Sequence, residues 1–150
     1  MTKDVIISIR GLQFIQQEDE VEPVEVVTPG EYYKKNGHHY LLFDETAEDV
    51  EGVIHNVIKF QKDSLEVRKK GIINVEMIFR ENKKTLSYYQ TPFGMMNMGI
   101  AATDIRLQEE ESQINLLVKY ALELNESYVA DCMIEMNVKS RQPGNFTLNS

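Results

Sequence analysis

Apolar residues recur at every second position along most of this chain of 150 residues. That is the spacing of strands that bury one face. Val5, Ile7 and Ile9 share one face of a first strand. Past Gly11 the apolar positions move to Leu12 and Phe14, the change of parity a β-bulge at the glycine would produce. Val24, Val26 and Val27 form a second run, which reads as broken at Pro29-Gly30 and resumed by Tyr32 and Tyr33. Asn36-Gly37 follows; this pair accepts the two positive φ angles of a type I′ turn, so a hairpin is predicted there. Asp44-Glu45-Thr46-Ala47-Glu48-Asp49 reads as an acidic loop. Ile54, Ile58 and Phe60 then share a face, Lys62-Asp63-Ser64 makes a turn, and residues 65–70 form another strand.

Alternation is clearest after Gly71, where Ile73, Val75, Met77 and Phe79 oppose Asn74, Glu76 and Arg80. Residues 81–84 form a polar turn, residues 86–91 a strand, and Thr91-Pro92-Phe93-Gly94 its end. Met96, Met98 and Ile100 continue, followed by Thr103, Ile105 and Leu107. Residues 108–126 fit both a helical stripe and a strand. The strand is preferred because all six even positions from Ile114 to Leu124 are apolar. Ala130, Cys132, Ile134, Met136 and Val138 share a face of the final strand. The expectation is one all-β domain over residues 1–141, with a loose tail over 142–150. Short connections between so many strands predict a closed antiparallel meander β-barrel of about 8–10 strands, since a flat sheet of that size exposes long edges.

Composition narrows the functions. The 42% hydrophobic and 27% charged content is that of a folded globular domain. A net charge of −8 and a pI near 4.9 argue against nucleic acid as a general partner. The charge is uneven: residues 59–84 hold eight basic and four acidic side chains, a local +4 that leaves −12 elsewhere. One cysteine excludes an internal disulfide framework. No apolar run approaches the ~18 residues of a membrane-spanning helix, and the apolar run near the start is too short for a secretory signal. A cytoplasmic location and no membrane partner are therefore expected.

The order of several short motifs resembles the YwiB-like family of small bacterial proteins. Tyr89-Gln90-Thr91-Pro92-Phe93-Gly94 leads into an alternating strand, Thr103-Asp104-Ile105-Arg106-Leu107 follows, and Lys119-Tyr120 sits in the first of two long strands. Upstream, Gly30-Glu31-Tyr32-Tyr33, Tyr40-Leu41-Leu42-Phe43-Asp44-Glu45-Thr46 and Leu65-Glu66-Val67-Arg68 before Gly71 fit the same order. Here two residues separate Arg68 from Gly71, where the family has one. The resemblance implies a calycin-type (lipocalin-like) β-barrel and strand for residues 112–124. It implies no activity, because the family is a domain of unknown function.

Candidate chemistry is sparse. His38 and His39 point to opposite faces of a strand, which disfavours one shared metal, and both are expected at the surface. His55 lies opposite its strand's apolar face. Cys132 reads as a small buried hydrophobe rather than a nucleophile. The acidic clusters lack calcium-site spacing. No catalytic residue, metal ligand or cofactor motif is assigned, and a non-enzymatic protein is expected. Six of the seven methionines, Met77, Met95, Met96, Met98, Met133 and Met136, fall in predicted strands, where Met fills cores or lines adaptable pockets. The expected function is a barrel holding a small, largely apolar molecule inside, with Tyr88, Tyr89, Met96, Met98, Tyr120 and Arg68 as candidate ligand-binding residues. The alternative is an interaction module that binds a protein partner or a second copy through an outer face, on which Ile78 and Leu117 are expected.

Overall fold

The computed structural model describes residues 1–11, 25–47 and 50–141. Among these, ten strands form one closed antiparallel barrel. They are β1 (Asp4–Arg10), β2 (Glu25–Lys35), β3 (His38–Ala47), β4 (Val50–Gln61), β5 (Ser64–Lys70), β6 (Asn74–Arg80), β7 (Lys83–Thr91), β8 (Gly94–Glu109), β9 (Gln113–Leu124) and β10 (Ser127–Ser140). Each strand pairs with its neighbour in sequence, and β1 pairs with β10 to close the ring, from Val5↔Ser140 to Arg10↔Glu135. The meander barrel expected from the alternation is thus the fold, and residues 113–124 are strand. The described barrel ends at Ser140–Arg141; the tail expected over 142–150 and the bulge expected after Gly11 lie outside the described residues.

The apolar parity of each strand faces inward. Leu41, Ile58, Phe60, Met77, Phe79 and Ile100 are buried, and Phe79 meets Tyr120 edge-on at 4.9 Å between ring centroids. Each such side chain gains about 1.5–3 kcal/mol by leaving water.

Turn chemistry matches the backbone. Asn36 and Gly37 have φ of 54° and 81°, joining β2 to β3 as the type I′ hairpin requires. Gly71, between β5 and β6, has φ of 152°, and a Cβ there would sit 2.4 Å from the carbonyl oxygen of Val53.

Three expectations are corrected, and one parity change is located. Pro29-Gly30 does not break a strand; β2 runs through it. Tyr32 donates its N–H to Lys3 on the β1 side, so by alternation the position of Pro29 would donate toward β3. The β2–β3 register is recorded only from Glu31↔Leu42 onward, so the missing N–H of Pro29 costs no ladder bond. Residues 44–47 are strand rather than loop, because β3 stays paired with β4 through Ala47↔Val50. The stretches around Met98 and Ile105 are one strand, and a register shift between Ala102 and Asp104 moves the inward parity from even to odd. His39 is inside the barrel, at 3% exposure, whereas His38 takes the other face.

Candidate ligand site

One inward-facing row crosses six strands near the end of the barrel where β5 turns into β6. Backbone register links Phe43 to Asn56, Asn56 to Lys69, Lys69 to Val75, Val75 to Tyr89 and Tyr89 to Met96. Two of its six residues, Asn56 and Lys69, are polar, and Glu45, next inward on β3, joins them. Lys69 donates from Nζ to Glu45 Oε1 and to Asn56 Oδ1, both at 2.8 Å, and Asn56 Nδ2 donates to the same Glu45 oxygen at 3.0 Å. Asn56 is fully buried and Lys69 and Glu45 are partly so, with 18% and 31% of their side chains exposed. Burial pushes the Glu45 carboxyl up, but the hydrogen bonds from Lys69 and Asn56 and the Lys69 charge outweigh it and hold the group below the ordinary carboxylate range.

The β7–β8 side of the row and the inward residues near it are apolar and incompletely buried. Tyr89, Ile73, Leu124 and Cys132 face the core yet remain half-buried, as does Met96. β8 also runs past β9, whose last pair is Met98↔Leu124, so the Met96 segment has β7 alone as its recorded ladder partner. Interior side chains are therefore reachable from this end. Burial raises the Cys132 thiol above its ordinary value, partly offset by the Tyr120 hydroxyl, which makes a poor nucleophile at neutral pH.

A second polar group lies at the opposite end. His39 stacks on Phe60 at 4.8 Å, shares a 2.7 Å hydrogen bond through Nδ1 with the Tyr32 hydroxyl, and places Nε2 3.6 Å from Glu109. Glu109 also pairs with Lys34 at 3.2 Å. Burial pushes the His39 ring down, with Glu109 opposing, and pushes the Tyr32 hydroxyl up. His55 is exposed, as read from the sequence, and bonds Asp44 at 2.8 Å. Among the described residues, no three His, Cys, Asp or Glu side chains converge as a metal set.

The residues singled out in the sequence divide between the two faces. Tyr89, Met96, Met98 and Tyr120 face inward, and Met98 and Tyr120 are buried. Tyr88 and Arg68 face outward, in register through Glu76. Arg68 is held by Glu76 at 3.1 Å and Glu66 at 3.5 Å. The six do not form one interior set. Glu45, Asn56 and Lys69 are not among the six, although each continues the inward parity of its own strand.

Residues 7–136 match the family described as a domain of unknown function (DUF1934). The chain belongs to this family. The uncharacterized beta-barrel protein YwiB of Bacillus subtilis (strain 168) is 24% identical over 118 residues, covering 77% of this chain and 82% of YwiB. The crystal structure of the ywiB protein from Bacillus subtilis superposes with a TM-score of 0.76 over 93% of both chains, at 17% identity. The YwiB-like resemblance and the all-β barrel read from the sequence are both shown. At that identity the superposition carries the fold and nothing about a ligand.

Proposed function

We propose that the protein is a non-enzymatic barrel that holds a small, largely apolar molecule at its open end. The observation that carries this reading is the inward row from Asn56 to Met96, polar at one side and apolar but only half-buried at the other. An apolar body would rest on Tyr89, Met96, Leu124 and Cys132. A single polar group would meet the amide of Asn56 and the ammonium of Lys69. Buried apolar area supplies affinity and a few fixed polar groups supply orientation, as in most small-molecule sites. Lys69 pairs with Glu45 and His39 bonds Tyr32, an arrangement that fixes these groups in place and supports a holding role over a catalytic one. A cytoplasmic location belongs to the same reading, and the free Cys132 suits a reducing compartment.

Native mass spectrometry of the full chain, purified without denaturation from a bacterial cytoplasm, tests the reading. A retained small mass, lost from a Met96→Glu variant that still folds, is the expected result. A bare chain whose Met96 methyl resonance is unmoved by a panel of apolar compounds would overturn it.

A second reading, contact with another protein or a second copy, has its own observation. Leu86 is 80% exposed and Met95 59% exposed. Leu86 borders an outer cleft of about 770 Å³ with Lys84, Gly99 and Glu123. Size-exclusion chromatography of the chain and of Leu86→Glu separates the two readings, since a single monomeric peak for both removes self-association.

A further inference from the structure

The outer wall of β5, β6 and β7 carries a different chemistry from the interior. Two outward rows meet there, Arg68–Glu76–Tyr88 and Asn74–Gln90, with Lys70 beside them at the end of β5. Together they line a cleft of about 530 Å³. Two outward cations, Arg68 and Lys70, border it against one carboxylate, Glu76, while Lys69, which also lines it, turns its ammonium inward to Glu45. This lies within the stretch that is net positive on a chain of charge −8, so the cleft is a place where an approaching anion is attracted.

Arg68 is pre-arranged for such a role. Its Nε is tied to Glu76 and one terminal nitrogen to Glu66, which fixes the plane of the guanidinium. The side chain stays 53% exposed, and a fixed donor costs less order on binding than a free one. Glu66 is shared with Arg80 at 3.8 Å, so Arg68 is not fully neutralised by it. Lys70 supplies a second charge, the amides of Asn74 and Gln90 supply neutral donors, and Tyr88 supplies a ring face and a hydroxyl.

We infer that this cleft binds a small organic anion, a carboxylate or phosphate monoester, gripped by Arg68 and Lys70, with its organic part against Tyr88. The site lies on the outside of the wall and stands independently of any interior ligand. The cleft is wider than an inorganic ion, so a ring-bearing anion is the fitting probe.

The test is NMR titration of the full chain with phenyl phosphate, benzoate and phenol. Either anion should shift the Arg68 Nε–H and the Gln90 side-chain amide, and whichever binds more tightly identifies the head group. Arg68→Gln and Lys70→Gln should each weaken that anion by about tenfold, the effect of losing one charge-assisted contact. Lys83→Gln, the same charge change at the far end of β7, should leave it within about twofold. Phenol binding as tightly as the anions would overturn the assignment. So would a Lys83→Gln loss equal to that of Arg68→Gln, or an absence of shifts with both anions. Lys70 has no ion pair recorded with the acids that orient Arg68, so its variant stays informative if Arg68→Gln perturbs the wall.

Discussion

Replacing Lys69 with methionine keeps the aliphatic stem and removes the ammonium that sits 2.8 Å from Glu45. Glu45 then keeps the Asn56 amide at 3.0 Å and loses its countercharge. Breaking a fully buried pair costs about 3–5 kcal/mol. Glu45 is about a third exposed, so water takes up part of the loss, and about 1–2 kcal/mol is expected, near the worth of one charged hydrogen bond. Glu45→Gln with Lys69→Met removes both charges and should recover most of that cost, giving a coupling of about 1–2 kcal/mol in a double-mutant cycle. Urea unfolding of the four proteins at pH 7 measures it. Acidity adds a signed check. In the native protein the folded Glu45 pKa is depressed, so its contribution is present above the unfolded carboxylate value and fades as pH falls through the lower folded value. In Lys69→Met burial is less opposed and the folded pKa rises from its depressed value, so ionisation contributes less to folding. The stability gap between the two proteins should therefore narrow as pH drops below the ordinary carboxylate range. An additive cycle, or a gap that ignores pH, would refute the reasoning.

Three other outcomes follow from the same geometry. Phe79→Ala, at a fully buried ring against Tyr120, should cost about 3–5 kcal/mol in urea unfolding. Gly71→Ala should cost about 2 kcal/mol or more, because the new methyl would press on the Val53 carbonyl at a positive φ; a neutral effect would mean the β5–β6 turn relaxes freely. The His39 pKa is lowered by burial, so the folded chain binds fewer protons there than the unfolded one. Stability should fall as pH drops from about 6.5 through the depressed value, and thermal unfolding of His39→Phe should show a shallower fall over that window, with Tyr32, Glu109, Lys34 and His38 as the neighbouring groups.

Alternation made the barrel readable because each strand has one greasy and one wet face, and the period of two survives even where the turn is unclear. Where it failed, a backbone effect or a polar inward residue was responsible. Pro29 was read as a breaker, yet its nitrogen lies on the side with no recorded ladder. The acidic run 44–47 was read as loop, yet pairing with β4 holds it extended and turns Glu45 inward. His39 was placed at the surface because histidine next to a turn is usually wet. Its inward parity with Leu41 and Phe43 was already visible. The candidate site was half legible: Tyr89 and Met96 came from their residue types, whereas Asn56 and Lys69 looked like polar interruptions. Their role depends on a register between three strands that no single stretch of sequence displays. Arg68 and Tyr88 were assigned without a face, and the wall between them and Tyr89 is one residue thick.

Closure of the ring through β1 and β10 bears on how the chain is made. Val5 finds Ser140 as its partner, the two ends of the described barrel. At about 5–20 residues per second, roughly 7–26 s separate the synthesis of β1 from that of its second neighbour. Through that interval the β1 edge facing β10 is an unfilled row of backbone donors and acceptors. Of the described strands, β10 is made last, and it is the one that seals the sheet.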